Sequence, residues 1–113
     1  MTSPITSHVL DLSLGKPASG LTVVLEVAEA GGWKELARGE TDANGRLQNL
    51  LAPASFAKGR YRLTFDSGAY FAARQMTAFY PQVTVIFVVL NEAEHFHVPL
   101  LLSPYGYSTY RGS

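Results

Sequence analysis

His95-Phe96-His97-Val98-Pro99-Leu100-Leu101-Leu102-Ser103, continuing through Pro104-Tyr105 into Gly106-Tyr107-Ser108-Thr109-Tyr110-Arg111-Gly112-Ser113, decides the fold. Successive side chains of a strand point to opposite faces, so Phe96, Val98, Leu100 and Leu102 share one face. That face is a core face. His95, His97, Pro99 and Leu101 then share the other, a pair of imidazoles leading into an apolar patch. Residues 106–111 read as a further strand that runs straight into a polar, cationic end. Chain ends fray unless something ties them down, so a strand leading into such an end marks an end that is in use.

Outward from this stretch, strand signals dominate. Residues 8–14 alternate, with Val9 and Asp11 on one side and His8, Leu10 and Leu12 on the other, until Gly15-Lys16-Pro17 breaks the pattern. Residues 21–29, 33–41, 46–51, 60–66 and 84–90 give five further strands. Asp42-Ala43-Asn44-Gly45 reads as a tight hairpin turn, because Gly and, less readily, Asn accept the positive φ it needs. Residues 67–74 are the one predicted helix, about two turns long, with Ser67 as its cap. Tyr61, Phe65, Tyr70, Phe71 and Trp33 are expected in the core, and Arg60, Arg62 and Arg74 in solvent. About eight short strands separated by turn residues make an all-β antiparallel sandwich or barrel.

The 113 residues are expected to form one domain, residues 1–113, large enough for a core without disulfides. Nine basic residues balance nine acidic ones, which argues against nucleic acid or an anionic membrane as partner. Only 16% of residues are charged against 47% hydrophobic, so some apolar surface is expected to be buried between subunits. No cysteine is present, which excludes disulfide scaffolds, thiolate metal sites and cysteine nucleophiles. Met1-Thr2-Ser3-Pro4 shows no basic segment leading into an apolar run. The expectation is no secretory signal, no membrane span and a cytoplasmic location.

Strand parity carries the argument to chemistry. If the first strand lies beside the one containing His97, then His8 and His97 share an outward face, and the leucines beyond them extend a patch that water disfavours. Another subunit laid across that sheet would cover the leucines and leave the histidines and Arg46 in a cleft. Hydrophobicity alone does not choose whether Ser108 and Tyr110 or Tyr107 and Thr109 face it. A histidine of near-neutral pKa can take a proton from water and return it to a leaving nitrogen, and an arginine can hold negative charge developing on a carbonyl oxygen. The bland alternative is that the histidines are ordinary surface residues of strands. His95-Phe96-His97 with His8 also has the makings of a three-histidine zinc set, but no Asp or Glu stands in place to orient such ligands, so no metal is assigned. No Gly-x-Ser-x-Gly elbow surrounds Ser108 or Ser113.

Residues 95–113, ending in Tyr110-Arg111-Gly112-Ser113, closely resemble the C-terminal signature of the 5-hydroxyisourate hydrolases, the transthyretin-like enzymes of urate breakdown. Ser7-His8-Val9-Leu10-Asp11 resembles their first-strand motif, and Thr41-Asp42-Ala43-Asn44-Gly45-Arg46-Leu47 their hairpin with its functional arginine. The resemblance implies a transthyretin-like sandwich of two four-stranded sheets with one short helix, strands one, four, seven and eight sharing a sheet. It implies an active site of His8, Arg46, His97 and Ser113, with Arg46, Ser108, Tyr110, Arg111 and Gly112 on the substrate. It further implies a homotetramer, a dimer of dimers, and hydrolysis of 5-hydroxyisourate to 2-oxo-4-hydroxy-4-carboxy-5-ureidoimidazoline without metal or organic cofactor. Which histidine is the base is left open, and His95 reads as a neighbour. The alternative within this resemblance is a transthyretin-like binding protein for a small aromatic ligand, without catalysis. A structural module with incidental histidines would instead be a monomer.

Overall fold

Period-two alternation builds two sheets that close on each other. In the computed structural model, which describes residues 3–113, the strands are β1 (Ile5–Asp11), β2 (Lys16–Pro17), β3 (Thr22–Glu29), β4 (Gly32–Glu40), β5 (Arg46–Leu47), β6 (Gly59–Phe65), β7 (Val83–Val89), β8 (Phe96–Ser103) and β9 (Gly106–Thr109). Met1 and Thr2, at the head of the stretch read for a secretory signal, lie outside the described residues. One sheet runs β2-β1-β8-β9, with β5 also paired to β1; the other runs β4-β3-β6-β7. The inward faces meet in one core, with Ile5, Val9, Phe96, Val98, Leu100 and Leu102 on one side and Val23, Leu25, Tyr61, Leu63 and Phe65 on the other.

Several boundaries differ from the sequence reading. β1 starts at Ile5, ahead of His8, and ends at Asp11 because the Asp11 carboxylate accepts the backbone N–H groups of Ser13 (2.9 Å) and Leu14 (3.3 Å), closing a turn. Leu12 therefore sits in that turn, 57% exposed, and not on the strand face with Leu10. Lys16-Pro17, read as a break, pairs briefly with β1 as β2, which makes the first sheet five-stranded. The strand expected over 46–51 shrinks to the two residues of β5, since Gln48 and Asn49 turn to solvent.

The helix α1 (Ser67–Ala72) is shorter than predicted, and its N-cap is Asp66. Ser67 is buried, its hydroxyl aimed at the Tyr80 carbonyl. Trp33 lies half-buried outside the core, with the Arg62 guanidinium 4.4 Å over its ring. Arg62 is in turn paired with Glu26 at 2.8 Å and is not freely solvated. Arg74 packs 3.8 Å over the Tyr70 ring. No helix among the described residues is long and apolar enough to cross a membrane.

Candidate active site

The outer face of the first sheet gathers the histidines because β1 and β8 pair in parallel, Ile5 opposite Phe96 through Asp11 opposite Leu102. Ile5, Ser7, Val9 and Asp11 are fully buried and point inward with Phe96, Val98, Leu100 and Leu102. Thr6, His8 and Leu10 consequently point outward, opposite His97, Pro99 and Leu101. His8 and His97 are thus on neighbouring strands, offset by one outward position, which places their Cα atoms about 8 Å apart. Arg46 is paired directly with His8 across β5 and β1, at a Cα spacing of about 5 Å, and joins the same face.

Turn chemistry positions Arg46. The Asp42 carboxylate accepts the N–H groups of Asn44 (2.8 Å) and Arg46 (3.0 Å), and these bonds hold its pKa below the ordinary carboxylate value, helped by the nearby charges of Arg46 and His8. Gly45 adopts φ 74° and lies so close to β1 that a Cβ there would stand 2.4 Å from the Val9 carbonyl oxygen. Only glycine lets the turn press against the strand in this way. The same turn orients His8, whose Nε2 lies 2.9 Å from the Asn44 carbonyl oxygen. A carbonyl only accepts, so Nε2 carries the proton and Nδ1 is left as the free nitrogen of the neutral ring.

Thr6, absent from the sequence reading, is buried between two imidazoles. Its hydroxyl lies 2.8 Å from His97 Nδ1 and 3.0 Å from His95 Nε2, and the two rings lie nearly parallel with centroids 6.4 Å apart. His97 is half-buried with Nε2 as its unclaimed nitrogen. Burial, reinforced by the charges of His95, Arg46 and His8, holds its imidazole below the ordinary histidine pKa. His97 is therefore neutral near pH 7 and able to accept a proton. The signal that would have found Thr6 is the same parity that found His8, carried one outward position earlier. The three imidazoles do not form a metal-holding set: no cluster of His, Asp and Glu suited to a metal ion occurs among the described residues.

The tail continues the β8–β9 register. Leu101 pairs with Ser108 and His97 with Gly112, so Ser108 and Gly112 belong to the outward face, as does Tyr110 between them by alternation. Gly112 donates its N–H to the His97 carbonyl at 2.8 Å, and a Cβ on it would stand 2.6 Å from His97 Cδ2. Arg111 points the other way. Its guanidinium bonds Glu94 (2.9 Å) and the His95 carbonyl (3.2 Å) and lies 4.4 Å over the Phe96 ring, so within one protomer it anchors the tail and does not reach the imidazoles. Ser113 is exposed, one residue beyond the bridge. A largely apolar cavity of about 270 Å³, lined by Val85, Phe87, Phe96, Val98 and Arg111 and bordered by Tyr110, lies on the other side of β8 from the histidines and contains none of them.

The profile of the HIUase/Transthyretin family matches residues 5–112. Over 109 residues the chain is 47% identical to the 5-hydroxyisourate hydrolase of Salmonella typhimurium, covering 96% of this chain and 80% of that protein. The structure of Klebsiella pneumoniae 5-hydroxyisourate hydrolase superposes with a TM-score of 0.83 at 39% identity, over 100% of both chains. Sea bream transthyretin in complex with thyroxine superposes with a TM-score of 0.92 at 33% identity, over 96% of this chain and 94% of that one. With a profile match spanning both sheets and identities of this order along nearly its whole length, the chain belongs to the HIUase/Transthyretin family.

Proposed function

We propose that this protein hydrolyses 5-hydroxyisourate to 2-oxo-4-hydroxy-4-carboxy-5-ureidoimidazoline, opening the lactam of the six-membered ring. The observation that carries this reading is the half-buried His97, with Nε2 unclaimed, on one sheet face with His8 and Arg46. His97 Nε2 takes a proton as the water oxygen bonds the lactam carbonyl carbon. The oxyanion so formed faces the Arg46 guanidinium, which stabilises charge present only along the reaction path. Collapse breaks the C–N bond, and the proton held on the imidazole passes to the departing nitrogen. His8, its Nε2–H fixed on Asn44, assists from the adjacent strand. Ser108, Tyr110 and Ser113 border and close the substrate site, Gly112 leaves room for the His97 ring, and Arg111 serves the site by holding the tail in place. The names of the bacterial relatives support the substrate.

The assembly in this reading is a homotetramer, a dimer of dimers, laid across the outer face. Leu10 and Leu101 beyond the histidines support it, as do the exposed Ile86, Val88 and Leu90 on or beside the unpaired edge strand β7. Sedimentation equilibrium tests it directly. The expected compartment is the cytoplasm, which a fluorescent fusion checks.

A second reading, a binding protein of the transthyretin kind, draws on the high structural similarity to sea bream transthyretin. The polarity of the face disfavours it, because three imidazoles and a guanidinium are costly to desolvate against an apolar ligand. The deciding experiment follows the ultraviolet absorbance of freshly generated 5-hydroxyisourate, with spontaneous decay subtracted. Acceleration by the wild type, lost by orders of magnitude in a folded His97→Ala variant, is the expected result. A wild type that leaves the decay unchanged defeats the proposal.

A further inference from the structure

A hydroxyl has one proton to donate and two lone pairs to accept with. Thr6 Oγ1 has hydrogen-bond contacts with His95 Nε2 and His97 Nδ1, and the residue is only 4% exposed. Two arrangements satisfy all three groups: His97 donates to Thr6 while Thr6 donates to His95, or His95 donates to Thr6 while Thr6 donates to His97. Both rings donating at once would leave a buried hydroxyl proton without an acceptor, at a cost of about 1–3 kcal/mol. One ring must donate to the hydroxyl and the other accept from it, and because the contacts are His97 Nδ1 and His95 Nε2 a single threonine ties the two neutral imidazoles to the same tautomer.

We propose that Thr6 and His95 are positioning residues that set the tautomer of His97 and carry its excess proton away during hydrolysis; this rests on the hydrolase reading above. Before reaction His97 Nδ1–H donates to Thr6 Oγ1, Thr6 donates to His95 Nε2, and His97 Nε2 carries the lone pair. When Nε2 takes the water proton, the Nδ1 proton passes to Thr6 Oγ1 and the original Thr6 proton passes to His95 Nε2. His97 ends neutral, with its proton on Nε2 where the departing nitrogen needs it, and His95 is the imidazolium. As Nε2 gives that proton to the departing nitrogen, the other two shifts reverse and the starting state returns. No proton is gained or lost over the cycle.

The surroundings favour that direction of charge transfer. His97 is half-buried, and burial first, then His95 beside it, Arg46 from the turn and His8 from β1, oppose a positive charge on it. His95 is exposed, follows Glu94 in the chain and shares a surface cleft with Glu92 and Glu94, although Arg111 lies against its carbonyl. A cation on His95 is thus open to solvent, whereas on His97 it is half-buried and faces the Arg46 guanidinium. Moving the charge out to His95 keeps a second cation from standing against the Arg46 guanidinium while the oxyanion forms.

The test combines ring-nitrogen NMR of ¹⁵N-histidine-labelled protein with kinetics on the wild type, Thr6→Val and Thr6→Ser. Val keeps the shape of Thr and removes the hydroxyl; Ser keeps the hydroxyl. Nδ1–H tautomers on both His95 and His97 in the wild type, with that match lost in Thr6→Val and restored in Thr6→Ser, are the expected NMR result. In kinetics, kcat falls about 10–100-fold in Thr6→Val with KM within about twofold, and Thr6→Ser regains most of it. The proposal is overturned if resting wild-type His97 carries its proton on Nε2, if the two rings hold opposite tautomers, if Thr6→Val keeps its kcat, or if Thr6→Ser is as poor as Thr6→Val. Should Thr6→Val not fold, the wild-type tautomers and Thr6→Ser decide alone. A wild type that does not accelerate hydrolysis removes the hydrolase reading, and the NMR arm then still reports whether the hydroxyl couples the rings.

Discussion

Gly112→Ala is a sharp test of how the tail serves the site. Among glycines with positive φ the structure shows Gly15, Gly20, Gly31, Gly32, Gly45 and Gly59, and Gly112 is not one of them, so its backbone accepts alanine without strain. The whole effect comes from contact. The added Cβ would meet His97 Cδ2 at 2.6 Å and Pro99 Cγ at 3.2 Å, against a comfortable carbon–carbon separation of about 3.5–4.0 Å, an overlap of about 1 Å. Either the His97 ring swings away from Thr6 or the tail lifts from β8. Lifting the tail gives up the Gly112–His97 backbone bond, worth about 1 kcal/mol and about 4 °C in Tm. Both responses move His97 or its surroundings by about 1 Å, which on the proposed hydrolase mechanism costs about 10²-fold in rate. The expected signature is therefore a large loss in kcat/KM beside a small loss in Tm, measured by absorbance on 5-hydroxyisourate and by thermal melting. Gly106→Ala is the control, since its Cβ meets nothing nearer than Ser103 Oγ at 3.8 Å. Full activity in Gly112→Ala would show that neither the ring position nor the seated tail matters to the reaction.

Four further outcomes follow from His97, Asp42 and Tyr70. Because burial holds His97 below its ordinary value of 6.5, kcat/KM should rise with pH through an apparent pKa below 6.5 and level off towards neutrality; an inflection above 6.5 in the pH–rate profile would exclude His97 as the base. The same depression means that stability present above pH 6.5 is lost as pH falls through the folded-state value, visible as a falling Tm in that window. Asp42, held below 3.8 by the Arg46 and Asn44 amides, contributes in the same sense at lower pH, and Asp42→Ala at pH 7 should reduce kcat/KM several-fold by loosening Arg46 and the Asn44 carbonyl that orients His8, with Asp42→Asn closer to wild type. Tyr70, pushed up to about 12 by burial and by its bond to Asp11, stays a donor across the accessible pH range. Tyr70→Phe should cost roughly 2 kcal/mol, about 8 °C in Tm, with turnover at 25 °C unchanged; an unaltered Tm would mean that the 2.7 Å bond contributes nothing.

Parity made much of this legible. The alternation of Phe96, Val98, Leu100 and Leu102 fixed the core face of β8 and so the outward direction of His97, and Val9 did the same for His8. The start of β1 was not legible, because Ser7 puts a polar residue on an inward position and breaks the apolar alternation just before His8. Ser7 is tolerated there because its hydroxyl donates to the Val98 carbonyl at 2.7 Å, a partner that exists only once β8 lies alongside. Thr6 was lost with it. Nor did hydrophobicity distinguish the two faces of the tail, where Ser108, Tyr110 and Arg111 are all exposed. The β8–β9 register distinguishes them, and it turns Arg111 towards Glu94. The two-residue strands β2 and β5 exist because the turns beside them press on β1, a tertiary effect with no local sequence pattern.

The polar residues on the inner side of β1 explain how the outer side keeps its geometry. A slip of one residue in strand pairing would exchange every side chain between the faces, carrying Thr6 and His8 into the core. Such a slip is resisted by more than apolar burial. Ser7 is bonded to the Val98 carbonyl, and the fully buried Asp11 accepts from the Ser13 and Leu14 amides and from the Tyr70 hydroxyl on α1. The bonds of Ser7 to Val98 and of Tyr70 to Asp11 are available in one register only, and losing them would leave a buried hydroxyl without its partner and the Asp11 carboxylate held by its own turn alone, at about 1–3 kcal/mol for each bond. An apolar residue at position 7 or 11 would fill the same space with less dependence on register. The inward bonds of Ser7 and Asp11 thus fix β1 against β8 and α1, and the outward placement of Thr6 opposite His97 and of His8 beside Arg46 follows from that pairing.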